Sequence, residues 1–224
     1  MLTPQLVKDT KNQIVILVSY LIEIGLVVDQ NFPTVKQSVG KIWDISFSEA
    51  INLSLCYSDI SYEEIYNELA SRRCFSVKFL DGGLLQILFR YNNNSLIKHR
   101  LAYYPSPYLC SFSEDPEVYE VDSLFTDITT RKIIPFPIRF DFDTQNGIDV
   151  EHPISHLTFG DIQNCRLPVS AALSPKWFIE FILRCFYLIK DRDFLSNLPK
   201  ATSIMNETIT ANEKNLIHLY IPYK

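Results

Sequence analysis

The sequence predicts an α+β fold: a mainly antiparallel β-sheet, built as a meander plus a hairpin, packed with a long N-terminal helix and an apolar C-terminal helix. Three observations predict it. Up to Gly25, apolar residues recur at helical spacing, with Leu6, Ile14, Leu17, Val18, Leu21 and Ile22 on one stripe. From Phe75 the period becomes two, and turn residues at Asp81-Gly82-Gly83 and Asn92 to Asn94 separate three β-rich runs. Beyond Ser174-Pro175 the helical period returns with Trp177, Phe178, Phe181, Ile182, Phe186 and Tyr187, and is expected to continue to about Ile189.

Taken in order, Thr3 and Pro4 offer an N-cap and a first-turn proline for the first helix. The stretch from Val35 to Asp59 is ambiguous, with Phe47 to Leu55 its best helical segment. Ser61 and Glu64 have capping-box spacing and open a short helix to about Ser71. The meander comprises Phe75 to Leu80, Leu84 to Tyr91 and Leu96 to Tyr103, and ends at Tyr104-Pro105-Ser106-Pro107, because proline cannot donate to a ladder. A short helix is expected near Asp122 to Thr130. Strands follow at Ile138 to Asp143 and Ile154 to Phe159, joined by a loop around Asn146-Gly147, and Leu216 to Ile221 is a candidate closing strand. The expected organisation is one domain over 1–224: a helical part at 1–72, a sheet-forming part at 73–170, and a helix and tail at 171–224.

With 224 residues, 47% of them hydrophobic, the chain can fill a sizeable core without disulfides. A net charge of −5 and a pI near 5.4 argue against a broad basic surface for duplex nucleic acid, while leaving room for a local phosphate or RNA patch. Five scattered cysteines without a C-x-x-C pair read as buried thiols in a reducing compartment, hence a cytoplasmic protein. Ile14 to Val28 is interrupted by Ser19, Tyr20, Glu23 and Gly25, so neither a signal peptide nor a membrane span is read there.

The chemistry concentrates between Arg139 and Arg166. In the strand Ile138 to Asp143, the apolar residues point one way while Arg139, Asp141 and Asp143 point the other. Such a face is also the ordinary solvated side of a half-buried sheet. Pairing with the next strand, whose His152, Ile154, His156 and Thr158 share a face, would bring acids, arginine and histidines together. On an extended strand His152 and His156 lie about 13 Å apart, too far to share a metal without a bend. A divalent metal is possible if Asp141 or Asp143 joins, and none is required. Ser155 beside His156 faces the opposite side, and no G-x-S-x-G turn exists, which disfavours a hydrolytic triad. Phosphoryl chemistry fits better: a histidine moves a proton, an aspartate orients it, and Arg139 or Arg166 stabilises phosphate charge. There is no Walker loop or G-x-G-x-x-G. In His99-Arg100 the two side chains face opposite sides, so Arg100 is the candidate for the site. His99 and His218 read as structural.

Three blocks carry a resemblance: Leu80 to Gln86 (LDGGLLQ); His99 to Pro107 (HRLAYYPSP); and Arg139 to Asp143 (RFDFD) followed by His152 to Gly160 (HPISHLTFG) and Cys165 to Ser170 (CRLPVS). In order and spacing they resemble a bacterial family known as domain of unknown function 2290, which implies no established activity. A position that often holds histidine in that family is Thr158 here, which weakens a metal or two-histidine site built on positions 156 and 158. The R-x-D and H-P-x-x-H segments are loosely similar to small toxins of bacterial toxin–antitoxin and phage-defence loci, an analogy that implies RNA or phosphate chemistry in a defence setting.

Two functions stay open. One is a nuclease-like effector on RNA or a nucleotide, with His156, His152, Asp141 and Asp143 as catalytic candidates and Arg139, Arg166 and Arg100 binding substrate. The other is a non-catalytic subunit whose aromatic-rich surface, from 12 tyrosines and 15 phenylalanines in the chain, docks an ATPase or antitoxin.

Overall fold

The structure, a computed structural model, describes residues 2–47, 60–108, 116–129, 136–160, 162, 164–188, 193–200 and 205–222. Helix α1 (Gln5–Glu23) buries Val7, Ile14, Leu17, Val18 and Leu21. Pro4 itself occupies the N-cap position, so Thr3 does not cap the helix as expected. Gly25, at φ 76°, ends it in the left-handed conformation that glycine adopts without a Cβ clash.

The next residues correct the sequence reading. Within the part expected to be helical, the chain forms strands β1 (Val27–Gln30), β2 (Thr34–Gln37) and β3 (Ile42–Ser46). These strands are four or five residues long, and β1 and β2 keep no fully buried side chain, so they lack the alternation that marks a strand. Most of the expected helix Phe47 to Leu55 lies outside the described residues. Helix α2 (Tyr62–Ser71) begins with the predicted capping box, Ser61 and Glu64 each satisfying the other's backbone N–H.

The meander forms as β4 (Val77–Phe79), β5 (Leu84–Asn92) and β6 (Ser95–Tyr104). Helices α3 (Pro116–Val121) and α4 (Ser123–Thr129) precede strands β7 (Ile138–Asp143), β8 (Ser155–Phe159) and β9 (Leu167–Pro168). The nine strands among the described residues join one sheet, seven of them in the order β1-β4-β5-β6-β7-β8-β9, and every strand pairing is antiparallel. One edge of β5 is shared end to end: β4 pairs with Leu84 and Leu85, β3 with Phe89 to Asn92, and β2 lies outside β3.

The helix expected to be strongly apolar is α5 (Pro175–Phe186), and it is amphipathic. Phe178, Ile179, Ile182 and Leu183 are buried, whereas Lys176, Glu180 and Arg184 form an ion-paired outer row. A short helix α6 (Ala211–Lys214) follows it, and residues 216–221 make a single parallel bridge, Val169 with Leu219, in place of the expected closing strand. An apolar helix closing the chain is therefore not observed. No helix among the described residues is long and apolar enough to cross a membrane.

Alternation along β6 divides the sheet into working faces. Leu101 and Tyr103 belong to the main core, which includes α1 and α5. On the opposite face Ala102 and Tyr104 lie under α2, in a second cluster with Ile65, Leu69 and Leu84. Two and four residues earlier, the same face continues as Arg100 and Lys98, beyond that cluster. One face is thus apolar at one end and charged at the other.

The turn between β4 and β5 ties the sheet to α5. Asp81 accepts at Oδ1 from the Gly83 N–H and from the Tyr187 hydroxyl, both at 2.9 Å. Since Tyr187 donates to Asp81, it accepts from Tyr103, 3.0 Å away. A Cβ on Gly83 would come within 2.8 Å of the Tyr187 oxygen, so any side chain there would have to displace the buried Tyr187 and Tyr103 rings. Replacing Tyr187 with Phe removes both bonds from a fully buried site. The expected loss is about 1–3 kcal/mol of stability, seen as a lower urea midpoint with an unchanged m-value.

Candidate functional site

Strands β6, β7 and β8 run side by side, and their registers place Arg100 opposite Asp141 and Asp141 opposite His156. A parallel row places Ala102, Arg139 and Thr158 abreast, and Lys98 faces Asp143. The pairing on which the sequence argument depended is the one the sheet adopts. Because strands are about 4.8 Å apart, arginine, carboxylate and imidazole become neighbours across three strands.

These rows floor a cleft of about 590 Å³. All seven residues singled out from the sequence line it: Arg100, Arg139, Asp141, Asp143, His152, His156 and Arg166. Lys98, Thr158, Asn164 and Cys165 line it too. Lys98 was legible, because it sits two residues before Arg100 on an alternating strand. Asn164 and Cys165 stand beyond β8 without a periodic pattern that could place them.

Asp141 is the electrostatic centre. Arg100 Nε donates to Oδ1 at 3.0 Å, and Arg139 Nε lies 3.8 Å from Oδ2. Burial would raise this carboxyl, but Arg100 and Arg139 outweigh it and hold the pKa below the ordinary 3.8. Asp141 is therefore a carboxylate fixed between two guanidinium groups.

Asp143 has a different part. Its Oδ1 accepts from the Gln145 and Asn146 N–H groups, and its Oδ2 from Asn146 Nδ2 and Lys98 Nζ. Despite the opposing effect of burial, these donors lower its pKa to about 2. With four donors on two oxygens, Asp143 organises the turn after β7 and is spoken for as a base.

His156 is buried, and its Nδ1 lies 2.7 Å from the Pro153 carbonyl oxygen. A carbonyl only accepts, so Nδ1 carries the proton and Nε2 is left as the acceptor of a neutral ring. Burial lowers the His156 pKa from the ordinary 6.5, while the Pro153 carbonyl and Asp141 pull the other way. A neutral imidazole with a free lone pair is a general base at ordinary pH.

His152 is not on the strand. β8 starts at Ser155, and His152 is bridged to Ile148 in the preceding turn. The bend brings the rings of His152 and His156 to 4.9 Å between centroids, far closer than an extended strand allows. Even so, no group of three or more His, Cys, Asp or Glu side chains among the described residues is placed to hold a metal ion. Ser155 faces away and donates to the Ala171 carbonyl, which leaves no serine beside His156 for a triad.

Arg166 donates to Asn164 Oδ1 at 3.3 Å and has no carboxylate partner among the described residues. Lys98, Arg100, Arg139 and Arg166 against Asp141 and Asp143 leave the cleft an excess of two positive charges. On a chain of net charge −5 this is a local reversal of sign, suited to an anion.

A family profile described as uncharacterized conserved protein (DUF2290) matches residues 26–221. The chain belongs to the DUF2290 family. The matched region of this DUF2290 protein contains every strand and the whole cleft, and leaves out α1. No curated protein and no solved structure gives a match.

His99, on the core face, accepts at Nε2 from the Leu173 N–H at 3.1 Å and packs between Phe89 and Phe142. Burial lowers its pKa to about 4. The unfolded chain therefore binds more protons between pH 6.5 and 4, and stability is lost as pH falls through that window. Ring-proton NMR titration should place the His99 midpoint near 4 and that of His156 below 6.5. Substituting His99 with Gln should flatten the dependence of urea midpoints on pH over the same range; an unchanged slope would contradict the assignment.

Proposed function

We propose that this chain is an effector that acts on RNA or another phosphate-bearing substrate in the cleft, with His156 as the proton-transfer residue. One observation carries the proposal: a histidine whose free nitrogen is an acceptor lines the same cleft as four cationic side chains. Anionic oxygens would lie against Arg166 and the Arg100 and Arg139 guanidinium groups, whose charge would stabilise the additional negative charge of a phosphoryl transition state. Asp141 holds those two arginines in place and supplies a negative charge near the His156 ring, favouring its protonated form as the proton arrives. The toxin analogy supports bacterial defence as the setting.

A second reading rests on a groove of about 620 Å³ between α1 and residues 193–199, with Val15, Ile16, Ile24 and Pro199 on its walls. It would make the chain a docking subunit for an ATPase or antitoxin. The two readings part on His156, which lies on the cleft and not on this groove.

Induced expression in a bacterial host, with growth and total RNA followed together, separates them. Wild type is expected to arrest growth and degrade RNA or deplete a nucleotide pool. His156→Ala should lower the rate by about 10²–10⁴-fold, and Arg166→Ala should raise KM more than it lowers kcat. If His156→Ala retains full toxicity, or the wild type is harmless, the catalytic reading fails and the groove becomes the surface to test.

A further inference from the structure

Resting on the reading of the cleft as a phosphate site, we propose that it cleaves RNA by transesterification, with the substrate's own 2′-hydroxyl as nucleophile, His156 as base and His152 as acid. The juxtaposition of the two rings, 4.9 Å between centroids and tilted by 59°, carries this inference. At that separation both rings can reach oxygens of a single phosphodiester.

Their surroundings divide the roles. His156 is buried, with its proton fixed on Nδ1 by the Pro153 carbonyl, so Nε2 receives a proton. His152 is half-buried on the turn before β8 and stands nearer to solvent than His156. Positive charge on His152 opposes protonation of His156. The carboxylates do not compete for the role: Asp141 is engaged by Arg100 and Arg139, and Asp143 by Lys98 and the turn. Among the described cleft residues, that leaves the two histidines as the pair of neighbouring imidazoles that can exchange a proton. A 2′-hydroxyl beside the phosphorus needs only deprotonation to attack it, an intramolecular advantage that DNA lacks.

In the step, Nε2 of His156 takes the 2′-hydroxyl proton as O2′ bonds to phosphorus. The P–O5′ bond breaks, its electron pair leaves on O5′, and the His152 imidazolium protonates that oxygen. The products are a 2′,3′-cyclic phosphate and a 5′-hydroxyl. No water and no oxidant are consumed. Arg139 and Arg166 face the extra negative charge of the pentacoordinate phosphorus.

The test uses the full chain in EDTA with total bacterial RNA, an RNA oligonucleotide, its 2′-O-methyl form and its DNA counterpart. RNA alone should be cut, leaving cyclic phosphate and 5′-hydroxyl ends by mass spectrometry. A second substrate carries sulfur in place of the bridging 5′-oxygen, a leaving group that needs no proton. His152→Ala should slow cleavage of ordinary RNA at least a hundredfold and recover to near the wild-type rate on the sulfur substrate, whereas His156→Ala stays slow on both. Cutting of DNA, 5′-phosphate ends, a requirement for added metal, or equal loss on both substrates in His152→Ala would overturn the proposal and leave the phosphate-site reading standing. Absence of cleavage overturns it as well; if the cleft also fails to bind the labelled oligonucleotide by anisotropy, the phosphate-site reading falls with it.

Discussion

The register of β7 between β6 and β8 is the constraint on which the remaining architecture depends. With Asp141 between Arg100 and His156, Phe140 faces α5, where it packs edge-on against Phe178 and Phe181 at 6.1 and 5.4 Å. A slip by one residue would exchange these sets, driving Arg139 and Asp141 into an aromatic core and Phe140 into a cationic cleft. An uncompensated buried charge costs about 3–5 kcal/mol, so such a slip would consume much of a domain's net stability. The ion pairs at Asp141 therefore select one sheet, and the aromatic packing below them selects the same one.

That constraint also explains how an acidic chain maintains a cationic site. Charges farther apart than about 10 Å are largely screened at moderate salt, so the net charge of −5 matters less in the cleft than the four cations lining it. Two carboxylates are retained there, and each is engaged. Asp141 offsets the repulsion between Arg100 and Arg139, and Asp143 holds Lys98 while closing the turn after β7. The positive field left over belongs to the cleft as a whole, with Arg166 the side chain among those described that brings no carboxylate with it.

Where the sequence was readable, a strict period had a local cause. The meander, the capping box at Ser61 and the polar face of β7 follow from alternation and turn chemistry, which act within a few residues. Strands β1 to β3 were not readable: β1 and β2 bury no side chain fully, β1 pairs with β4 and β3 with β5 far along the chain, and β2 is held through β3. The amphipathic character of α5 was hidden by its aromatic residues, and becomes clear only with Lys176, Glu180 and Arg184 aligned along its outer side. Within the site, alternation placed Asp141 and Arg139 correctly. His152 was misplaced, since treating it as part of a continuous strand ignored the break that Pro153 makes before Ser155.

That break needs support from elsewhere, and the C-terminal segment provides it. Val150 stands at φ 67°, a conformation that a β-branched residue adopts only under strain, two residues before His152. Its N–H reaches Glu213 Oε1 at 3.3 Å, while the neighbouring Asp149 accepts from Thr210 Oγ1 and Asn212 Nδ2. All three partners lie at the start of α6, whose capping box pairs Thr210 with Glu213. A short helix about sixty residues downstream thus clamps the turn that carries His152, and without the clamp the strained residue could relax toward extended backbone. The cleft floor is set by the sheet, whereas the position of His152 over His156 depends on α6. The strain is thus placed in the turn that brings the two imidazoles to 4.9 Å.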